Sequence, residues 1–297
     1  MEITPPQPLP RRCVYTVLLG EYEQLNEQTV AKHSAIPFIC LTDAPGLTSK
    51  TWQIRLVTPV FGMDPIRSQR NLKLRPHLYL PDFDESLYID NSVLLTQKPE
   101  DIFARHFPAS GIGVPAHSYR ASTLDEFLEV ARLGFDDQHR VFEQLNHYTL
   151  DCPEVLAEPP YWTAILLRDH KNQDVQRMAE IWLAHIYRYS RRDQLSVRAA
   201  FHQAGLTPDV LEIDNHHSWF HTWPHMAGRD RNKGARNPAA ALMPLTARLR
   251  QMEQALAEKD AALAEQIRIN SAMAVPQKSG IAAIWGKCLL RARKLLR

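Results

Sequence analysis

The residues best suited to chemistry begin with a carboxylate that directly follows a short apolar run. In Tyr88-Ile89-Asp90-Asn91-Ser92, a predicted buried strand ends at Asp90. A carboxylate in this position can hold a divalent cation, which would neutralise the charge of a phosphate leaving group. The alternative is that Asp90 is a turn or capping residue, the commoner role of an aspartate after a strand.

Three basic residues upstream of Asp90 are spaced three positions apart. On a helix, Arg67, Arg70 and Lys73 would share one face. Guanidinium and ammonium groups both bind phosphate oxygens, so this face can be directed at a diphosphate. The alternative is an ordinary solvent-exposed charged face.

A second acidic motif follows a segment that is rich in aromatic residues. In Arg191-Arg192-Asp193-Gln194, the carboxylate of Asp193 can orient a sugar hydroxyl or act as a base, and the amide of Gln194 can hydrogen-bond a sugar. The alternative is a surface turn in which Asp193 caps a helix.

The segment from Asn215 to His225 has an unusual composition, with four histidines and two tryptophans in eleven residues. The imidazoles can supply a metal ligand, and the indoles can form an aromatic platform for a sugar. A single histidine is usually structural. Four close together favour a ligand role without indicating which one has it.

The overall composition is that of a globular chain with enough residues to bury a large core. It has 297 residues, a formal net charge of +2 and 44% hydrophobic residues. The four cysteines are far apart and form no CxxC pair, so they predict neither a zinc site nor a disulfide framework. A reducing cytoplasm fits this pattern best. Residues 1–12 are proline-rich and polar, are expected to be disordered, and lack the apolar core of a signal peptide.

Short apolar runs alternate with helical patterns through the first part of the chain, which predicts an α/β fold with a mostly parallel sheet. Ligands of such sheets bind beyond the carboxyl ends of the strands. Gly20, Asp43 and Asp90 all fall at predicted strand ends, so we expect them to converge on one crevice. The predicted strands cover 13–19, 37–42, 54–57, 87–89 and 162–167, and the predicted helices cover 23–33, 65–80 with a break at Pro76, 123–147 and 174–189.

The C-terminal part differs in pattern and charge from the rest. Apolar residues with spacings of three and four recur over 242–267, interrupted at Lys259, and predict a short coiled coil that self-associates. A single helix packed on the body is the alternative. Residues 281–297 read as a basic amphipathic helix with Trp285 on its apolar side, which suits an anionic membrane surface. No acidic residue follows Glu265, whereas the preceding body is acidic, so we do not expect nucleic acid to bind.

Taken together, these motifs resemble a known family, the glycosyltransferase-like domain of plant TOD/MUCI-type proteins and many bacterial proteins. The resemblance covers roughly residues 13–205 and rests on the order and spacing of its stretches. These stretches are Val14-Tyr15-Thr16 through Gly20-Tyr22, Phe38-Ile39-Cys40-Leu41-Thr42-Asp43, Lys73-Leu74-Arg75-Pro76-His77, Ser86-Leu87-Tyr88-Ile89-Asp90-Asn91-Ser92, His117-Ser118-Tyr119-Arg120, Ala164-Ile165-Leu166-Leu167-Arg168 and Ser190-Arg191-Arg192-Asp193-Gln194-Leu195-Ser196.

The resemblance implies a GT-A-like, Rossmann-type mixed sheet flanked by helices, in a domain that we place over 13–235. The helical extension over 236–270 and the basic tail over 271–297 lie outside the resemblance and are predicted from the sequence pattern. It implies a nucleoside-diphosphate-sugar donor, with a UDP-sugar foremost, and a glycan or glycolipid acceptor. The donor-binding residues would be Gly20, Tyr22, Asp43, Arg67, Lys73, Asp90, Ser92, His117 and Arg120. Asp193 and Gln194 would be catalytic, because they are similar to the Asp-Gln pair under the donor sugar in retaining enzymes of the glycogenin-like group.

A divalent metal, Mn²⁺ or Mg²⁺, would bind Asp90 together with His217 or His225. The usual Asp-x-Asp motif is altered here, because Ser92 replaces the second aspartate and is a much poorer ligand. We therefore expect a cytoplasmic glycosyltransferase at the inner face of a membrane. Two alternatives stay open: a metal-dependent hydrolase that uses Asp90 and the histidine cluster, and a non-catalytic binding module. Nucleotide binding would separate the transferase from the hydrolase.

Overall fold

The structure is a computed structural model that describes residues 9–226, residue 228 and residues 245–273. The chain divides into two compact units, Met1–Pro244 and Leu245–Arg297. Residues 1–8 and the predicted amphipathic tail, 281–297, lie outside the described residues.

The first unit alternates strands and helices. Its strands are β1 (Arg12–Leu18), β2 (Phe38–Thr42), β3 (Gln53–Leu56), β4 (Glu85–Ile89), β5 (Leu94–Leu95), β6 (Ile112–Pro115), β7 (Ile165–Asp169), β8 (Asp209–Leu211) and β9 (His221–Thr222). Its helices are α1 (Pro65–Leu74), α2 (Pro76–Tyr79), α3 (Pro99–His106), α4 (Thr123–Arg132), α5 (Gln138–Asp151), α6 (Pro153–Ala157), α7 (Gln173–Arg188) and α8 (Val197–Ala204), with short 3-10 helices at Thr29–His33 and Asp193–Leu195.

Seven strands form one mixed sheet in the order β3-β2-β1-β4-β7-β6-β8. Strands β3, β2, β1 and β4 run parallel to one another, whereas β7 is antiparallel to both of its neighbours. The predicted α/β fold with a mixed sheet flanked by helices is confirmed. Because β4 is central, the residue that follows it lies near the middle of the carboxyl edge.

The central strands are apolar on both faces because helices cover the sheet on both sides. Alternate residues of β1, beginning with Cys13 and Tyr15, pack in one core cluster with Trp182 of α7. The residues between them, such as Val14, pack in the other with Phe103 of α3. The sheet is therefore a buried platform, and its carboxyl edge has a defined position.

Helix α1 begins and ends where its sequence predicts. The Asp64 carboxylate accepts a hydrogen bond from the Arg67 N–H, and Pro65 occupies the first turn, where a missing N–H costs nothing. Pro76 separates α1 from α2, since proline disfavours a helical conformation in the residue before it. The predicted break at Pro76 is confirmed.

Two predicted helices differ from the structure. Of the helix predicted over 23–33, only the 3-10 turn Thr29–His33 forms. The helix predicted over 123–147 is two helices, because Gly134 takes a left-handed conformation (φ +64°) after α4 and Asp137 then caps α5. Neither difference changes the carboxyl edge of the sheet.

The second unit is helix α9 (Leu245–Met273), 29 residues long. The helical extension is confirmed. Its apolar residues with spacings of three and four, among them Leu249, Met252, Leu256 and Leu263, are each more than half exposed. Self-association through 242–267 stays a prediction. Among the helices of the described residues, none combines the length and apolarity needed to cross a bilayer.

Candidate functional site

The ends of β1 and β2 meet at the carboxyl edge of the sheet, as the sequence predicts. The Gly20 N–H donates a hydrogen bond to Asp43 Oδ1 over 3.0 Å. Gly20 has a φ of +79°, and a Cβ there would lie 3.0 Å from Pro65 Cβ. Only glycine therefore fits between the Asp43 carboxylate and the start of α1.

The centre of the edge holds a buried network of charges around Asp193. Lys73 Nζ lies 2.6 Å from Asp193 Oδ2 and 3.7 Å from Asp90 Oδ1. The side chains of Lys73 and Asp193 are 1% and 3% exposed, whereas that of Asp90 is 34% exposed. Asp90 is therefore the carboxylate of this network that a ligand can reach.

Two further side chains complete the surroundings of Asp193. Arg70 Nε lies 3.4 Å from Asp193 Oδ2, and the Thr163 hydroxyl donates to the same oxygen over 3.1 Å. The Arg70 Nε–H is buried and has no hydrogen-bond acceptor among the described residues. Tyr22 lies close enough to Arg70 to influence its charge. The contact of Arg70 with Asp193 is therefore an ion pair without hydrogen-bond geometry.

Hydrogen bonds to the Lys73 backbone carbonyl fix the position of this residue. The Lys73 carbonyl accepts hydrogen bonds from the Tyr15 hydroxyl, over 2.6 Å, and from the Arg168 guanidinium, over 2.6 Å. These bonds attach the last turn of α1 to the two strands β1 and β7. Lys73 Nζ also lies 4.8 Å from the ring centroid of Tyr88.

The network shifts the proton affinities of its members. Burial alone would raise the pKa of Asp193, but the charges of Arg70 and Lys73 outweigh it and hold that pKa well below its ordinary value. Burial lowers the pKa of Lys73, and the attraction of Asp193 and Asp90 offsets it only in part. Asp193 is therefore a carboxylate at neutral pH.

Asp193 and Gln194 do not form the exposed turn that was the alternative interpretation. Asp193 begins a 3-10 helix, and its carbonyl accepts a hydrogen bond from Trp182 Nε1 over 2.9 Å. This bond to a buried indole fixes the backbone of the motif. Gln194 is only half-buried, and its Oε1 lies 3.4 Å from a nitrogen of Arg192. The motif therefore combines a buried carboxylate with a partly exposed amide.

Arg67 lies on the same face of α1 but points elsewhere. Its Nε and Nη2 donate to the carbonyls of Ile186 and Tyr189 at the end of α7, over 3.0 and 2.7 Å, and its Nη1 donates to Asp64 over 2.6 Å. Each nitrogen of this guanidinium thus has a protein acceptor. Arg67 joins two helices, so Arg70, rather than the predicted donor-binding residue Arg67, lies beside Lys73 and Asp193.

The histidine- and tryptophan-rich segment reaches the residues after β4. Trp223 Nε1 donates to Ser92 Oγ over 3.1 Å, and the His225 N–H donates to the Ser92 carbonyl over 2.8 Å. His225 Nε2 lies 2.9 Å from the Thr222 hydroxyl. His217 is 79% exposed, and its nearest acidic partner is Asp214, at 3.4 Å.

The proposed metal ligands do not assemble into a metal-binding group. Within residues 9–226 and the rest of the described chain, no three His, Cys, Asp or Glu side chains are placed to hold a metal ion. Asp90 Oδ1 already accepts from the Tyr88 hydroxyl and faces Lys73. A single free carboxylate oxygen falls short of the oxygen-rich sets that Mg²⁺ and Mn²⁺ prefer. The residues present do not fit a divalent metal.

A row of aromatic rings borders the site on the β6 side of the sheet. Ring centroids are 4.3 Å apart for His117 and Tyr119, 5.5 Å for Tyr119 and His216, and 5.2 Å for His216 and Trp223. Tyr119 is 45% exposed, and His216 is also exposed. The row therefore offers open ring surface beside the charge network.

The two donor-binding candidates after β6 have different surroundings. Arg120 Nε donates to Glu126 over 2.8 Å, and its Nη2 lies 3.6 Å from Glu129, so its charge is already balanced by α4. His117 is buried, and its Nδ1 has no hydrogen-bond partner among the described residues. Burial lowers the pKa of His117 to about 4, so the ring is neutral.

Sequence reasoning did not identify Thr163, assigned no role to Arg192, and left Arg70 out of the donor-binding residues although it placed Arg70 on the face directed at a diphosphate. Arg70 carried a signal, since it shares a helical spacing with Lys73. Thr163 lies two residues before β7, and Arg192 adjoins Asp193. Neither residue belongs to a sequence pattern that would by itself indicate a binding role. Arg192 Nε is buried without an acceptor among the described residues.

No family model matches the sequence, and no curated protein matches it at a significant level. Solved structures with a similar arrangement include the apo structure of the bifunctional glycosyltransferase WbbM, at 8% identity and a TM-score of 0.41 over 70% of this chain and 39% of that chain. Another is the apo form of mouse xyloside xylosyltransferase 1, at 11% identity and a TM-score of 0.40 over 68% of this chain and 85% of that chain. This chain thus spans only 39% of the length of WbbM. At these TM-scores the likeness assigns no activity and no residue role to this chain.

Proposed function

We propose that the chain is a glycosyltransferase that moves a sugar from a nucleoside-diphosphate-sugar donor, foremost a UDP-sugar, to a glycan or glycolipid acceptor. The observation that carries this proposal is the buried Asp193 carboxylate, held 2.6 Å from Lys73 beside Arg70 and Asp90 at the carboxyl edge of the sheet. Carboxylates hydrogen-bond sugar hydroxyls, and clustered cations suit a diphosphate.

Each residue of the network has a proposed role. Asp193 stays ionised and holds Lys73 and Arg70 in place beneath the donor sugar, while Gln194 contacts the sugar at the reacting carbon. Asp90 accepts from a donor hydroxyl on the open side of the network. Gly20, Tyr22 and Asp43 line the β1 and β2 side, where the nucleoside would lie.

The reaction needs charge stabilisation at the departing diphosphate. The bond between the sugar carbon and the phosphate oxygen breaks, and its electron pair stays on that oxygen. The acceptor oxygen bonds to the same carbon and releases its proton. Positive groups held in place before the reaction stabilise this developing charge without reorganising. The Asp-Gln pair supports retention of configuration as the stereochemical outcome.

The aromatic row supports a carbohydrate acceptor. Tyr119, His216 and Trp223 present rigid ring faces next to the site, and aromatic faces provide apolar contact area at a low cost in side-chain entropy. The row lies on the β6 side of β4, and the Gly20–Asp43 contact lies on the β1 and β2 side. Donor and acceptor would therefore approach the network from opposite sides.

Nucleotide binding is the decisive test of this function. Isothermal titration of the full chain with UDP, GDP, ADP and CDP should give binding with at least one of them. An Arg70→Gln variant should lose most of that affinity, and an Arg250→Gln variant, changed on the exposed surface of α9, should keep it. Failure of every nucleotide to bind would refute the transferase and leave the hydrolase and binding-module alternatives.

We also propose that residues 281–297 hold the enzyme at an anionic membrane surface, where a lipid-linked acceptor would be present. The support is the sequence pattern alone: a basic amphipathic segment with Trp285 attached to an acidic body. The full chain should sediment with anionic liposomes at low salt, and a chain ending at Gln277 should not. Equal sedimentation of both chains would contradict the proposal.

A further inference from the structure

The residues around Asp90 bear on how the diphosphate of a donor would be neutralised. The position that would supply a second metal-binding carboxylate holds Ser92. The Ser92 hydroxyl accepts a hydrogen bond from the indole N–H of Trp223, and Ser92 as a whole is 7% exposed. Asn91, between the two, donates to the Gln24 carbonyl and accepts from Asn26, so its side chain is also engaged.

Positively charged side chains already surround Asp90 and Asp193. Arg70 and Lys73 both approach Asp193, and Lys73 approaches Asp90 as well. The charge of Arg192 acts on Asp193 too. Arg70 and Lys73 thus balance the two carboxylates, and Arg192, which adjoins Asp193 in the chain, adds an excess of about +1 at neutral pH. An aspartate at position 92 would cancel that excess.

One of these cations has a buried donor without a partner. The Arg192 Nε–H has no acceptor among the described residues, and the Arg70 Nε–H has only the Asp193 carboxylate, at 3.4 Å and without hydrogen-bond geometry. A buried donor without a partner is costly, and a bound anion would satisfy it. Guanidinium groups are well suited to phosphate oxygens, because they offer several N–H groups in one plane.

We infer that this chain binds its nucleoside-diphosphate donor without a divalent metal, with Arg70, Lys73 and Arg192 supplying the positive charge. The inference rests on the proposed transferase function. The bond from the sugar carbon to the phosphate oxygen breaks and leaves its electron pair on the diphosphate. The acceptor oxygen forms a bond to that carbon, and the acceptor proton passes to the diphosphate. Arg70, Lys73 and Arg192 stabilise the added charge.

The first arm of the test uses the unmodified full chain. Its affinity for UDP, GDP, ADP and CDP is measured by isothermal titration in excess EDTA and again in millimolar Mn²⁺ or Mg²⁺. We expect dissociation constants that agree within about twofold between the two conditions. Binding that occurs only with metal would overturn the inference and leave the transferase proposal intact. An absence of binding in both conditions would refute the transferase proposal itself.

The second arm changes the charge count. An Arg70→Gln variant should bind the nucleotide roughly tenfold more weakly in EDTA, the order expected for one hydrogen bond from a charged donor. A Ser92→Asp variant restores the second carboxylate and should bind more weakly in EDTA, with the loss reversed by Mn²⁺. Ser271→Asp, on the exposed surface of α9, is the matched control. A folded Ser92→Asp protein that binds as tightly as the parent in EDTA would overturn the charge argument.

Discussion

Lys73 and Asp193 are 120 residues apart in the chain, yet Lys73 Nζ lies 2.6 Å from Asp193 Oδ2 in an almost fully buried ion pair. Burying two charges carries a desolvation cost that their attraction recovers only when the geometry is good. A pair of apolar residues would often stabilise a core as well or better. The retention of ionised groups in this position is therefore better explained by a ligand than by stability.

The first prediction concerns the energetics of this pair. Lys73→Met leaves Asp193 buried beside Arg70 alone and should lower the free energy of unfolding by about 3 kcal/mol, the low end for breaking a buried pair. The double variant Lys73→Met, Asp193→Leu removes both charges and should recover part of that loss. Chemical denaturation of the parent, both single variants and the double variant measures the coupling. Additive effects would contradict the ion pair.

The second prediction concerns Gln194. If its amide contacts the donor sugar mainly in the transition state, Gln194→Ala should lower kcat much more than it weakens donor binding. Gln194 is half-buried and lies outside the packed core, so the variant should melt as the parent does. Gln254→Ala on exposed α9 is the control. Unchanged turnover in Gln194→Ala would remove this residue from the catalytic machinery.

The third prediction concerns the acceptor. Tyr119→Ala removes an exposed ring from the aromatic row and should raise the KM for a glycan acceptor severalfold while donor affinity stays unchanged. Tyr119→Phe keeps the ring and should behave almost as the parent does. Initial rates at varied acceptor concentration measure both. Equal KM values for the alanine and phenylalanine variants would show that the ring has no part in acceptor binding.

The fourth prediction concerns pH and His170. Its Nδ1–H donates to the Phe83 carbonyl over 3.0 Å, and its Nε2 lies 2.8 Å from Ser86 Oγ, so the ring is buried and neutral. Burial, together with the charge of Arg168, lowers the pKa of His170 to about 4 from an ordinary 6.5. Between these values the unfolded chain binds a proton that the folded chain does not, so stability should fall as pH drops from 6.5 to 4.

His117 has a similarly lowered pKa and should add to this pH dependence. Urea unfolding at several pH values measures the slope of stability against pH, and His170→Gln should reduce that slope. An unchanged slope in His170→Gln would show that other groups cause the dependence. Above pH 6.5 both histidines are neutral in either state, so the variant should not alter the pH dependence there.

The fifth prediction concerns helix α9. Leu249, Leu256 and Leu263 recur every seven residues and are exposed, so we expect two copies of the chain to pair along this face. Leu256→Asp should shift the full chain to a monomer in light scattering coupled to gel filtration. Ala257→Asp, one position around the helix, should leave the dimer unchanged. A monomeric parent would refute the pairing.

The sequence alone determined the local parts of this structure. Apolar runs such as 13–19 and 87–89 define strands because buried strands need apolar residues on both faces, and Pro76 ends α1 because of its backbone geometry. The placement of Gly20 and Asp43 at one edge follows from parallel pairing, since the carboxyl ends of parallel strands lie together. These features follow from the residues of each segment and from the pairing of neighbouring strands.

The tertiary structure decided which of the charged residues meet. Arg67 and Arg70 share one helical face, yet Arg67 binds the end of α7 and Arg70 faces Asp193, because the two positions lie one turn apart beside different neighbours. The contact of Ser92 with Trp223 and the pairing of Lys73 with Asp193 join segments more than a hundred residues apart. Such contacts depend on how helices and loops pack around the sheet, and no periodicity within a single segment specifies that packing.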